Sequence, residues 1–254
     1  MHRPVLLLVA HGSRDPRHAA TVRALVRRVR SLRPGLRVET GFLDFDTPTV
    51  SGVLERLAAE GVRDVVAQPL LLTRAFHAKT DIPAVLRGAP AALRIRQAAV
   101  LGPSPLLVSA LERRLYEAGL DPADRSSTGV VLASAGSSDP EAIAVIAEIA
   151  REWRRTGWCA VRPAFASASL PRTEDAVRAL RDVDGVRRVA VAPYVLAPGF
   201  LPDRIARGAA GADVLADVLG PAPEVARLLV RRYDEAYAPD TCPVAPLARI
   251  PALA

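Results

Sequence analysis

VLLLVAHGSRDP, residues 5–16, recurs as VVLASAGSSDP at residues 130–140, and that recurrence decides the fold class. Three further pairs follow in the same order. FLDFDTP (42–48) returns as FASASLP (165–171), VVAQPLLLTRAF (65–76) as VAVAPYVLAPGF (189–200), and LGPSPLL (101–107) as LGPAPEV (219–225). The offset stays between 118 and 124 residues. Four pairs in register mean an internal duplication, so each half is one supersecondary unit made twice.

Working outward from those stretches, each half alternates strand and helix. Residues 5–10, 36–43, 65–72 and 93–100 read as strands of the first half, and 130–135, 160–166, 188–195 and 213–218 as those of the second. Their near-continuous apolar character is that of parallel strands covered on both faces. Helical periodicity falls on residues 17–33, 49–60, 105–118, 140–155, 172–183, 202–210 and 223–236. Pro16 and Pro105 suit first-turn positions. Gly61 and Gly119 suit the position just past a helix end. The expected fold is α/β: two doubly wound lobes, each a four-stranded parallel sheet flanked by helices, with a cleft between them. The lobes are expected at 1–120 and 129–237, with a turn-rich linker at 121–128 and a proline-rich tail at 238–254.

Composition narrows the function. Of 254 residues, 50% are hydrophobic and 24% charged, enough for a full core, so disorder is excluded as the main state. The formal charge is +7, yet Lys79 is the only lysine and no asparagine occurs, a skew that points to codon bias. Aromatics are 4%, and no basic block carries interleaved aromatics, which argues against a single-strand nucleic-acid platform. An anionic small molecule remains compatible with the charge. Cys159 and Cys242 stand far apart, which excludes a disulfide framework or a four-cysteine metal cluster. No apolar run approaches a membrane span. The expectation is a cytoplasmic protein with no nucleic-acid or membrane partner, either a monomer or a homodimer.

Ligands of open α/β sheets bind beyond the carboxyl ends of the strands. In the first half His11 follows the first strand, Asp44 ends the second, and His77 lies in the loop after the third. With strand order 2-1-3-4 the three converge. Two imidazoles and a carboxylate suit Fe²⁺ or Co²⁺. Singly, each has a plainer reading as a loop hydrogen-bonder or turn residue. His18 is expected in the first turn of a helix, solvated. Gly12 and Ser13 lead into a helix N-terminus, where they could bind an anion, although Ser13 or Asp15 could simply cap that helix. At the matching positions the second half has Ala135, Ser167 and Leu201, while it keeps Gly136, Ser137, Asp139 and Pro140. The scaffold is repeated and the potential ligands are not, which argues for one active centre, in the first half.

LLLVAHGSRDP (6–16), FLDFDTP (42–48), PLLLTRAFHAKTDIP (69–83) and LGP (101–103) closely resemble the sirohydrochlorin chelatase family, the class II chelatases of siroheme and cobalamin synthesis. The second half is similar to the degenerate copy found in long, two-domain members. The resemblance implies a lyase that inserts Fe²⁺ or Co²⁺ into sirohydrochlorin, with metal-binding and catalytic roles for His11 and His77. The family's acidic ligand is commonly glutamate; Asp44 stands there, one methylene shorter. The substrate is an eight-carboxylate macrocycle. Gly12, Ser13, Arg14, Arg74 and Phe76 are the substrate-binding candidates, with Arg204, Arg207 and Phe200 from the second half. No Walker lysine pattern or GxGxxG appears, so no ATP and no cofactor beyond the metal is expected. A phosphohistidine enzyme is a rival, but Ala10 stands where histidine phosphatases place arginine. A non-catalytic tetrapyrrole or metal carrier is a second alternative. A fragment ending near Ser127 is expected to lose most turnover while able to keep metal affinity.

Overall fold

The computed structural model describes residues 3–74 and 80–237. Strands β1 (Val5–Ala10), β2 (Val38–Phe42), β3 (Asp64–Pro69) and β4 (Arg94–Gln97) form one parallel sheet in the order 2-1-3-4. Strands β5 (Thr128–Ser134), β6 (Ala160–Phe165), β7 (Arg188–Tyr194) and β8 (Val214–Leu215) form a second in the order 6-5-7-8. The orders are identical, as the duplication requires. Strand β1 is buried along its whole length. Leu6, Leu8 and Ala10 face one core, and Val5, Leu7 and Val9 face the other. That two-sided burial is why alternation is missing from its sequence.

The helices are α1 (Pro16–Leu32), α2 (Val50–Ala59), α3 (Ile82–Arg87), α4 (Pro105–Glu117), α5 (Pro140–Arg154), α6 (Thr173–Arg181), α7 (Phe200–Gly208) and α8 (Pro223–Tyr237). Asp15, Thr49, Ser104 and Asp139 cap α1, α2, α4 and α5 through their side chains. Prolines occupy the first turns of α1, α4 and α5. The edge strands β4 and β8 are shorter than expected from residues 93–100 and 213–218. Helix α3 was not expected, since six residues are too few to show a helical period. Residues 121–128 contain a 3-10 turn, Pro122–Ser127, and the first residue of β5.

The two sheets exchange their last helices. Helix α4, made by the first half, packs on β7, and α8, made by the second, packs on β3 and β4. The two exchanged helices also pack on each other, and α8 contacts α1. One apolar cluster therefore runs from β1 and α1 through α4 and α8 to β5 and β7. Polar contacts hold the exchange. Glu112 of α4 accepts hydrogen bonds at one carboxylate oxygen from Trp153 Nε1 (2.8 Å), Arg125 Nη2 (2.7 Å) and Trp158 Nε1 (3.2 Å). The Tyr233 hydroxyl donates to Pro4 O at 2.8 Å. Arg113 bonds both oxygens of Glu224 at 3.1–3.3 Å. Burial would raise the Glu224 carboxyl, but those bonds outweigh it and hold the group below the usual carboxylate range.

Candidate active site

Parallel register sets the geometry. Ala10 lies beside Phe42 at the carboxyl ends of β1 and β2. The Leu43 amide donates to Ala10 O and the Asp44 amide to His11 O, both at 2.9 Å. His11 and Asp44 thus sit on adjacent strand ends, as expected, and both are exposed. One Asp44 oxygen accepts from the Phe45 amide at 2.8 Å. Phe45 is in the left-handed region (φ 62°), which turns its ring out of the loop. The ring meets His11 edge-on, with centroids 6.3 Å apart, and the Arg14 guanidinium lies 5.3 Å from its centre. His77 and Phe76 lie outside the described residues. Among the described residues no three histidine, cysteine or acidic side chains are grouped to hold a metal.

The loop behind His11 is tied down from three sides. A Cβ on Gly12, at φ +96°, would fall 1.8 Å from Asp44 O, so the β1 and β2 loops touch only because residue 12 has no side chain. The Ser13 amide donates to Asp46 Oδ2 at 3.0 Å, and the Ser13 hydroxyl accepts from the Asp15 amide at 3.1 Å. The anion at this helix entrance is the chain's own Asp46 carboxylate. Asp46 was missed in the sequence, though it stands two residues from Asp44 in the same motif. His18 departs from expectation. It is half-buried in the first turn of α1, its Nδ1 is buried with no hydrogen-bond partner among the described residues, and its ring lies 6.4 Å from Phe42. Burial pushes its pKa below the ordinary histidine value; Asp46 opposes the shift and His11 adds to it.

The second lobe repeats this loop without histidine or aspartate at the positions of His11 and Asp44. The Ser167 amide donates to Ala135 O at 3.0 Å, as the Asp44 amide does to His11 O, Ala168 is left-handed (φ 58°), and a Cβ on Gly136 would lie 1.9 Å from Ser167 O. In place of acceptors, the Ser167 and Ser169 hydroxyls donate to Ala135 O and Ser137 O.

The carboxyl edges of the two sheets face each other. Arg17 of α1 binds Asp15 (2.6 Å) and reaches across to Asp203 of α7 (2.8 Å); its hydrogen bonds hold Asp15 below the usual carboxylate range. The Cβ position of Gly199 is 3.9 Å from Ser13 Oγ. The Tyr194 hydroxyl donates to Leu72 O at 3.4 Å, and burial pushes its pKa up. Arg14, Arg74, Arg204 and Arg207 are exposed. An imidazole and a carboxylate on adjacent strand ends can take a cation, and exposed guanidinium groups can pair with carboxylates.

The CbiX family model matches residues 5–118 and 129–236, one copy per lobe. A sirohydrochlorin cobaltochelatase of Priestia megaterium is 30% identical over 208 residues, 79% of this chain and 66% of that protein. A sirohydrochlorin ferrochelatase of Bacillus subtilis (strain 168) is 29% identical, over 81% of this chain and 78% of the relative. SirB from Bacillus subtilis with Fe³⁺ superposes with a TM-score of 0.77 at 26% identity, covering 92% of this chain and 96% of SirB.

Proposed function

This chain belongs to the CbiX family of sirohydrochlorin chelatases, and we propose that it inserts Fe²⁺ or Co²⁺ into sirohydrochlorin at the carboxyl edge of the first sheet. The observation that carries the reading is the asymmetry between lobes: one loop scaffold occurs twice, with His11 and Asp44 on one copy and Ala135 and Ser167 on the other. A scaffold that keeps its glycine, caps and backbone bonds while losing two donor side chains supports a single centre in the first lobe.

The reaction exchanges one divalent metal ion for two pyrrole N–H protons, so two H⁺ leave per turnover. The enzyme must hold the metal and accept protons. A neutral imidazole has one free lone pair above a pKa of about 6.5, which can hold the metal and, once the metal has passed to the macrocycle, take up a proton. His11 is assigned metal binding and proton acceptance, shared with His77; the Asp44 oxygens are assigned the balancing negative charge. Arg14, Arg74, Arg204 and Arg207 are assigned to the substrate carboxylates. Residues 1–120 carry the metal site and 129–237 close the cleft. No step needs ATP or a further cofactor. No described helix is long and apolar enough to cross a membrane.

The test is anaerobic incubation of the purified chain with sirohydrochlorin and either Fe²⁺ or Co²⁺, followed by absorption spectroscopy. Multiple turnovers are expected, and His11→Ala should slow them by about a hundredfold or more. Stoichiometric binding without turnover would establish a carrier in place of an enzyme.

A further inference from the structure

Among the described residues five large hydrophobic side chains are exposed: Leu32, Phe45, Leu170, Phe200 and Leu215. Three of them, Phe45 (52% exposed), Leu170 (72%) and Phe200 (71%), occupy loops or helix starts at the carboxyl edges of the sheets. Scattered exposed apolar residues are ordinary, but three of the five at the carboxyl edges of the sheets mark a surface that something covers. Each is also held in place. Phe45 is fixed by its left-handed backbone, the Asp44 bond to its amide and the Arg14 contact. Leu170 lies between Ser169, anchored to Ser137, and Pro171, whose carbonyl accepts from Phe165. Phe200 opens α7 directly after Gly199, which abuts Ser13 of the first lobe, and three residues before Asp203, which is paired with Arg17.

Inheritance from the duplicated ancestor does not account for the loop pair. The positional equivalent of Phe45 is Ala168, and that of Leu170 is Thr47. Each lobe therefore presents one large apolar group from the same loop, at a different position. We propose that Phe45, Leu170 and Phe200 are the surfaces that grip the flat faces of the tetrapyrrole. The metal lobe then contributes one contact beside His11, and the lobe without ligands contributes two. This assignment rests on the chelatase reading above. It gives the second lobe a definite task, which is to press the macrocycle toward the metal-bearing loop while the arginines hold its carboxylates.

The experiment uses the full chain and measures sirohydrochlorin affinity by equilibrium dialysis without metal, Co²⁺ affinity by calorimetry without tetrapyrrole, and KM and kcat with both. Leu170→Ser and Phe200→Ser are each expected to weaken tetrapyrrole binding by about tenfold, and the pair by more. Co²⁺ affinity should not change. Phe45→Asn, which tolerates the left-handed backbone, should act in the same direction on the tetrapyrrole. Leu170→Met and Phe200→Leu should restore near-parental binding, which a merely misfolded protein would not show. Unchanged tetrapyrrole affinity in the double variant overturns the proposal and leaves the chelatase reading standing. A parent chain that neither binds nor metalates sirohydrochlorin overturns both.

Discussion

At the scale of single residues, Gly12 and Gly136 form a natural pair of controls. Each meets a backbone carbonyl of the neighbouring loop, at 1.8 and 1.9 Å from an added Cβ, and each has positive φ. Alanine at either place must displace backbone, at a cost of about 2–4 kcal/mol. Gly12→Ala and Gly136→Ala should therefore lower stability by similar amounts in denaturant titrations. Only Gly12→Ala should also weaken Co²⁺ binding, because only its loop carries His11. Equal loss of metal affinity in both would show that the two lobes share the metal.

At the scale of the element, much of the molecule was readable. The four repeated segments predict two sheets of one topology, and His11 and Asp44 fall on neighbouring strand ends as the 2-1-3-4 order requires. The destination of α4 and α8 was not readable. An amphipathic helix declares that Leu107, Ala110, Leu111 and Leu115 need a partner surface, not which sheet provides it. The burial of His18 and the part played by Asp46 were missed for a related reason: burial of a first-turn histidine, and a carboxylate aimed at a backbone amide, depend on loops brought together from distant parts of the chain. Glu112 shows what holds α4 away from its own sheet. Its carboxylate serves two indole N–H groups and a guanidinium. Glu112→Ala leaves those donors without their acceptor and should cost about 2–4 kcal/mol, measurable as a lowered urea midpoint. A loss below about 0.5 kcal/mol would mean that apolar packing alone seats the helix.

At the scale of the whole molecule, the exchange joins the fates of the lobes. A chain cut after Ser127 retains α4, whose apolar face belongs on β7, and lacks α8, which covers β3 and β4. The expectation that such a fragment could keep its metal affinity gives way to a different one. The fragment should fail to fold and should show no discrete Co²⁺ site in calorimetry, while the full chain unfolds in one transition by circular dichroism and by tryptophan fluorescence. A folded fragment with parental Co²⁺ affinity, or two resolved transitions in the full chain, would contradict this.

The exchange also sets an order of events on the ribosome. Helix α8 follows every other described element in the chain, and it forms the cover of the sheet from which His11 projects. Nascent chains that have already emerged through the first half therefore still lack one wall of their first core. That half waits, with an apolar sheet face open, until the second half has been synthesised and folded against it. The first lobe is thus first to be translated and among the last to be finished. A truncated product of interrupted translation carries His11 and Asp44 without the frame that orients them.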